Sequence, residues 1–107
     1  MPRLHSRYQK PDLLKRAIER VTIPALWYHF NLAGRVSPLC NVRCPWREER
    51  HASFSIYAQG RRWRDHGTGE SGDSYSFYCR LTGLSTGEAF RSFIALAGLE
   101  RELSLKK

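Results

Sequence analysis

A stretch with a period of two, SFSIYAQGRRWRD at residues 53–65, is the feature that most restricts the fold of this chain. Apolar side chains recur at every second position in its first half, as in a strand with one buried face. The Gln-Gly pair that follows predicts the turn of a hairpin. The returning strand then places Trp63 on one face, with Arg62 and Arg64 on the other.

Signals for helices surround this hairpin. Asp12 is predicted to cap a helix over residues 13–21, and Thr22 with Pro24 suits the start of a second short helix that ends near Gly34. An earlier strand around residues 36–43 is predicted to complete a small antiparallel sheet. Downstream, Asp73 and Ser85 are predicted to cap two more helices, which end at Gly83 and Gly98. The expected fold class is α+β, with a small antiparallel sheet flanked by N-terminal and C-terminal helices. The expected organisation is a polar basic leader at 1–11, one domain at 12–99 and a frayed tail at 100–107.

The charge of the chain indicates a polyanionic partner. The net charge is +8, and residues 35–64 hold seven arginines against two glutamates. The planar guanidinium group suits phosphates and base edges, so nucleic acid is the first candidate partner. A basic surface that serves only solubility is the alternative reading of the charge.

Several functional classes lack support in the sequence. No phosphate-binding loop, nucleophile elbow or HExxH motif is present, so we expect no catalytic residues and no enzymatic activity from this chain. No apolar run approaches the length of a membrane span, and the first residues lack the apolar core of a signal peptide. A cytoplasmic protein without membrane partners is the expectation.

A metal site deserves consideration because the chain has three cysteines and four histidines. Thiolate and imidazole are the ligands that zinc prefers, but structural zinc sites usually present two close pairs of ligands. Here only one close pair of cysteines exists. A zinc site made of Cys40, Cys44, His51 and His66 therefore stays as an alternative to the expectation of no bound metal.

The run RCPWREERHASFSIYAQGRRWRDHGTGESGD resembles the zinc ribbon at the N terminus of bacterial DnaG-type replicative primases. Residues 43–50 match its first knuckle, residues 53–56 the following strand, and residues 67–73, with three glycines and a closing Gly-Asp, its second knuckle. The flanks agree as well, so the resemblance covers about residues 12–99. It implies the zinc-ribbon fold and a role in binding single-stranded template during DNA replication or primer synthesis, with catalysis supplied by a separate domain.

The departures from the family pattern concern the metal. By the resemblance, the four ligand positions fall on Cys44, Arg47, Asp65 and Thr68, of which only the first is a usual ligand of the family. Arginine cannot ligate zinc, so the ribbon is expected to have lost its metal. We expect Arg47 and Asp65 to face one another across the former site, and Trp46 and Trp63 to supply apolar contacts in its place.

The candidates for contact with nucleic acid are Arg43, Arg47, Arg50, Tyr57, Arg61, Arg62 and Arg64. Arginines interleaved with aromatic rings can hold phosphates while bases stack. Arg62 and Arg64 are the strongest candidates, while Arg47 is also a candidate for the pair with Asp65. Partners expected from the resemblance are single-stranded DNA and a replication protein such as a primase catalytic domain or a helicase. A protein-interaction module that binds a primase, helicase or other regulatory partner is the alternative function. A phage or mobile element is a plausible origin by resemblance alone.

Overall fold

The fold is that of a computed structural model, which describes residues 10–37, 40–48 and 51–104. Its elements, in chain order, are α1 (Lys10–Arg20), α2 (Ile23–His29), β1 (Phe54–Tyr57), β2 (Arg62–Asp65), β3 (Ser71–Asp73), α3 (Ser74–Thr82), α4 (Thr86–Leu96) and α5 (Glu100–Ser104). Helices precede and follow a three-stranded antiparallel sheet along the chain, so the α+β class expected from the sequence is confirmed.

The sheet has the strand order β1-β2-β3, and its central strand pairs with both neighbours. Phe54 lies opposite Asp65 and Tyr57 opposite Arg62 in the first pair, and Arg62 lies opposite Asp73 in the second. Side chains at alternate positions of β1 and β2 are buried, so the predicted hairpin and its two faces are confirmed. β3 was not predicted, because Ser-Gly-Asp is typical of a turn and becomes a strand here only by pairing with β2.

The strand predicted around residues 36–43 is wrong for the described part of that segment. There, Val42 alone forms an isolated bridge with Phe54, in which each backbone N–H donates to the other residue's carbonyl at 2.8 and 2.9 Å. Residues 38–39 lie outside the described part of the chain. The segment before the hairpin is therefore tied to the edge of β1 at one point rather than by a ladder.

The tip of the hairpin is docked on the start of α2. Ala58, Gln59 and Gly60 all have positive φ, and the Ile23 N–H donates to the Gly60 carbonyl at 2.7 Å. A Cβ atom on Gly60 would lie 2.9 Å from Cδ of Pro24, so a glycine is required both by its φ of +85° and by this close approach. The turn therefore fixes the hairpin against the N-terminal helices.

Three of the four predicted helix starts agree with the structure. Thr22, Asp73 and Ser85 each accept a hydrogen bond from the backbone N–H three residues later and cap α2, α3 and α4. The exception is Asp12, which lies in the first turn of α1 because that helix begins at Lys10. Residues 100–104, within the segment expected to be a frayed tail, form the short helix α5.

The core lies between the buried face of the sheet and the helices that follow and precede it. Phe54 stacks on Trp63 with ring centroids 5.4 Å apart, and Phe77 of α3 and Trp27 of α2 pack against Phe54 at 6.0 and 6.3 Å. The burial of Trp63 confirms that it belongs to the core. Within the described part of the chain, no helix is long and apolar enough to cross a membrane.

Candidate nucleic-acid interface and former metal position

Arg47 and Asp65 meet between the loop that precedes β1 and the end of β2. Nη2 of Arg47 lies 2.6 Å from Oδ1 and 2.7 Å from Oδ2 of Asp65. One nitrogen bridges both carboxylate oxygens, so the pair is not the two-nitrogen fork that a guanidinium can form. Asp65 is completely buried, whereas the Arg47 side chain is 33% exposed. The structure thus brings together, as an ion pair, two of the four residues that the sequence resemblance assigns to ligand positions.

The loop after β2 is organised around Asp65. The Gly67 N–H donates to its Oδ1 at 2.9 Å, and the Gly69 N–H donates to its backbone carbonyl at 2.7 Å. A Cβ atom on Gly67 would lie 2.8 Å from Nη2 of Arg47 and 3.2 Å from Oδ1 of Asp65. Residue 67 therefore has room only for glycine while the ion pair is in place.

The electrostatics of Asp65 are those of a buried but compensated charge. Burial by itself raises the pKa of this carboxyl group, because it disfavours the ionised form. The hydrogen bond from Arg47, the Gly67 N–H, the positive charge of Arg47 and the Cys44 thiol together outweigh burial and bring the pKa below its ordinary value. Asp65 is thus held as a carboxylate whose counter-charge is the guanidinium group of Arg47.

The other two residues that the resemblance assigns to ligand positions, Cys44 and Thr68, differ from one another. Cys44 is buried beside Asp65, and burial raises the pKa of its thiol, so the thiol is protonated and donates to the carboxylate. Thr68 is exposed and turned toward the loop, where its Oγ1 accepts a hydrogen bond from the Glu70 N–H at 3.2 Å. Thr68 therefore stabilises the turn and takes no part in the contact between the knuckles.

These residues do not fit a zinc ion. Zinc takes thiolate, imidazole or carboxylate ligands in a tetrahedral set, and of the four residues only Cys44 and Asp65 carry such a group, while Arg47 brings a guanidinium cation. In the ranges 10–37, 40–48 and 51–104 the structure contains no group of three or more His, Cys, Asp or Glu residues that could hold a metal.

The alternative zinc set is not brought together either. Cys40 is exposed while Cys44 is buried, and Nε2 of His66 lies 2.9 Å from Oγ of Ser55. His66 thus bonds to the neighbouring strand. The set of Cys40, Cys44, His51 and His66 is therefore not a candidate site.

Aromatic packing fills the space next to the ion pair. The Trp46 ring contacts Trp63 edge to face at 5.1 Å between centroids and packs against Phe54 and Phe77 at 5.5 Å each. The guanidinium carbon of Arg80 lies 5.1 Å from the centre of the Trp46 ring. The expected role of Trp46 as an apolar contact agrees with this position. No sequence pattern indicated Arg80, because its contact depends on how α3 packs.

The other face of the sheet carries the strongest candidates for nucleic-acid contact. Arg62 and Arg64 of β2 are exposed, and Tyr57 of β1, 45% exposed, lies directly opposite Arg62. Ser55 lies opposite Arg64 in the next row. A tyrosine ring and two guanidinium groups therefore share one face of the sheet.

The remaining candidate arginines are placed less directly. Arg43 is exposed in the loop before β1. Arg61 donates to the Glu19 carbonyl at 3.2 Å and to Oε1 of Gln59 at 3.4 Å, so it ties the hairpin tip to α1. Arg50 lies outside the described residues.

The geometry defines a zinc-ribbon-like domain, in which a loop that contains a cysteine and a glycine-rich loop close on one another beside an antiparallel hairpin. The CHC2 zinc finger, the zinc ribbon of DnaG-type primases, matches residues 28–107, and the chain belongs to this family.

Similar proteins agree with this assignment. The DNA primases of Chlamydia trachomatis serovar D and of Chlamydia muridarum are each 30% identical to this chain over 78 residues, or 73% of its length. The chain covers only 13% and 12% of these two primases, about an eighth of their length. No solved structure matches the chain significantly.

Proposed function

We propose that this chain is a metal-free member of the primase zinc-ribbon family that binds single-stranded DNA in replication or primer synthesis. The observation that carries the proposal is the face of β1 and β2, where exposed Arg62 and Arg64 lie beside the exposed ring of Tyr57. We call this surface, formed by Tyr57, Arg62 and Arg64, the arginine face.

The chemistry of the arginine face suits a flexible single strand. Arg62 and Arg64 are two residues apart on one strand, so their backbones are about 6.8 Å apart, which suits neighbouring phosphates of an extended strand. Tyr57 offers a ring on which a base can stack, an interaction worth about 1–3 kcal/mol per base. The guanidinium groups hold the backbone and the ring holds a base, without any demand for a particular sequence.

The metal-free part of the proposal rests on what occupies the former ligand positions. A structural zinc contributes on the order of 10–16 kcal/mol in small domains, and one ion pair does not match that. Burial of a partly buried aromatic side chain such as Trp46 adds about 2–4 kcal/mol. The ion pair, the aromatic cluster and the Arg80 contact together take the place of the metal in holding the two loops.

The proposed role is that of a non-catalytic accessory. The proposed partners are DNA and a replication protein of another chain, such as a primase catalytic domain or a helicase. Under this proposal the protein works in the cytoplasm beside the replication machinery.

Fluorescence anisotropy with labelled single- and double-stranded DNA across a salt series tests the binding. We expect affinity for the single strand to fall steeply with salt, by a slope of about 0.7 in log affinity per log salt for each phosphate neutralised. Arg62→Ala with Arg64→Ala should lower both the affinity and the slope. The matched control is Arg91→Ala with Arg101→Ala, which removes the same charge from exposed positions on α4 and α5 and should change binding much less.

Two results would count against the proposal. Equal losses of affinity in the two double variants would mean that binding depends on the net charge of the protein and not on the arginine face. The absence of salt-sensitive binding at micromolar protein would favour the protein-interaction module instead.

A further inference from the structure

A groove opens at the end of the arginine face, between α1 and the hairpin. Its volume is about 580 Å³, within the range of about 300–1,000 Å³ that is usual for small-molecule sites. Arg62 is among the residues that line it. Because Arg62 belongs to both surfaces, a strand held on the arginine face can continue into the groove.

The walls and the rim of the groove differ in chemistry. Leu14 and Ile18 of α1 form an apolar wall that is only partly buried, and Ala58 of the hairpin tip lies opposite. The rim holds three cations, Lys15, Arg61 and Arg62, against the carboxylates of Glu19 and Asp73. An apolar wall beside cations is complementary to a nucleotide, which has a flat base and a charged phosphate.

Asp73 supplies a hydrogen-bond acceptor in the groove. Its Oδ1 accepts from the Ser76 N–H at 2.9 Å in capping α3, and an ionised carboxylate has about four acceptor sites in all. A carboxylate at a base edge accepts from an exocyclic amino group, as in the pairing of Asp or Glu with the N4 amine of cytosine. Thymine offers only acceptors beside its ring N–H and has no such amine.

We propose that this groove binds one base of the single strand that lies on the arginine face and prefers cytosine or adenine to thymine. The apolar wall of α1 packs on the base, Arg62 and Lys15 hold the flanking phosphates, and Asp73 accepts from the exocyclic amine. This inference rests on the proposed function, because the base reaches the groove only as part of a bound strand.

The test compares three labelled strands of one length, oligo-dC, oligo-dT and a strand of abasic sites, at neutral pH and fixed salt. For the unchanged protein we expect oligo-dC to bind at least about fivefold more tightly than oligo-dT, from about 1 kcal/mol of discrimination by one base contact. The abasic strand should bind most weakly and keep its salt dependence.

Two variants locate the effect. Asp73→Asn keeps the helix cap, since Asn and Asp cap about equally well, but it replaces an acceptor by a donor, so the preference for oligo-dC should fall below about twofold. Ile18→Gln places an uncharged polar side chain in the apolar wall, so it should weaken oligo-dC while leaving the abasic strand, which is held only through its phosphates, unchanged. Melting curves of both variants test whether each is folded. If Ile18→Gln is not folded, the Asp73→Asn result decides the test.

The failures of the two proposals are distinguishable. Two results would overturn the proposal for the groove and leave the proposal for the arginine face intact. One is salt-sensitive binding with equal affinity for oligo-dC and the abasic strand, and the other is a preference for oligo-dC that Asp73→Asn leaves unchanged. No salt-sensitive binding of any strand would overturn both.

Discussion

Replacing Arg47 by methionine removes the counter-charge of a completely buried carboxylate. In Arg47→Met, Asp65 keeps the Gly67 N–H and the Cys44 thiol but loses the two contacts at 2.6 and 2.7 Å. Breaking a buried pair from one side costs about 3–5 kcal/mol, because the remaining charge has no compensation. That is a large part of the about 5–15 kcal/mol by which a domain is usually stable.

The opposite substitution should cost less. Asp65→Asn leaves an amide that still accepts from Gly67, and the Arg47 side chain, a third exposed, can hydrate its charge. We expect a loss of about 1–2 kcal/mol, typical of a charged hydrogen bond replaced by a neutral one. The expected order of stability is therefore the unchanged protein, then Asp65→Asn, then Arg47→Met.

The pH dependence separates this explanation from a simple loss of packing. In the unchanged protein the folded-state pKa of Asp65 lies below its ordinary value of 3.8, so its contribution is complete above that value and is lost as the pH falls through the folded-state pKa. In Arg47→Met, burial without the guanidinium raises that pKa. Relative to the unchanged protein, the variant should then gain stability as the pH falls toward this raised pKa, because protonation of Asp65 removes the uncompensated charge.

Urea unfolding followed by tryptophan fluorescence at several pH values measures both effects. The matched control is Arg91→Met, which makes the same substitution at an exposed position of α4 and should change stability by no more than about 0.5 kcal/mol. A loss in Arg47→Met no larger than in Arg91→Met, or a variant without the gain at lower pH, would refute the role given to the ion pair.

Two further substitutions test the surroundings of the ion pair. Trp46→Ala should destabilise the protein by about 2–4 kcal/mol, below the range for a fully buried aromatic residue, and Arg80→Ala by about 0.5–1 kcal/mol. A double-mutant cycle by urea unfolding should give a coupling between Trp46 and Arg80, and additive losses would exclude the cation–π contact. Gly67→Ala places a Cβ atom against Nη2 of Arg47 and should weaken the ion pair, so the variant should lose less stability on acidification than the unchanged protein. An unaltered dependence of stability on pH would show that the loop has room for the methyl group.

Local features of the fold could be predicted from the sequence, and features that depend on packing between elements could not. The two faces of the hairpin follow from the alternation of apolar and polar residues. The caps Thr22, Asp73 and Ser85 could be predicted because each side chain bonds to a backbone N–H only three residues later. β3 was missed because Ser71–Asp73 has a turn-like composition and pairs only after β2 is in place. The start of α1 was missed because Asp12 is a good cap that here lies inside the helix.

The candidate site divides in the same way. The approach of Arg47 and Asp65 could be predicted by matching the chain to the ribbon pattern, because the resemblance assigns both residues to positions that the ribbon fold is expected to bring together. The separation of Thr68 from them could not, since it depends on a hydrogen bond within the loop. The Arg80 contact and the groove beside α1 also had no sequence signal, because helices distant in the chain form them.

Zinc content together with chelator sensitivity tests whether this ribbon holds its two loops together without a metal. The protein is expressed with zinc in the medium, its metal content is measured by mass spectrometry, and its melting curve is recorded with and without a chelator. We expect far less than one zinc per chain and the same melting temperature in both conditions, because Arg47, Asp65 and the Trp46 cluster hold the former metal position. One zinc per chain, with a melting temperature that collapses on chelation, would contradict the account.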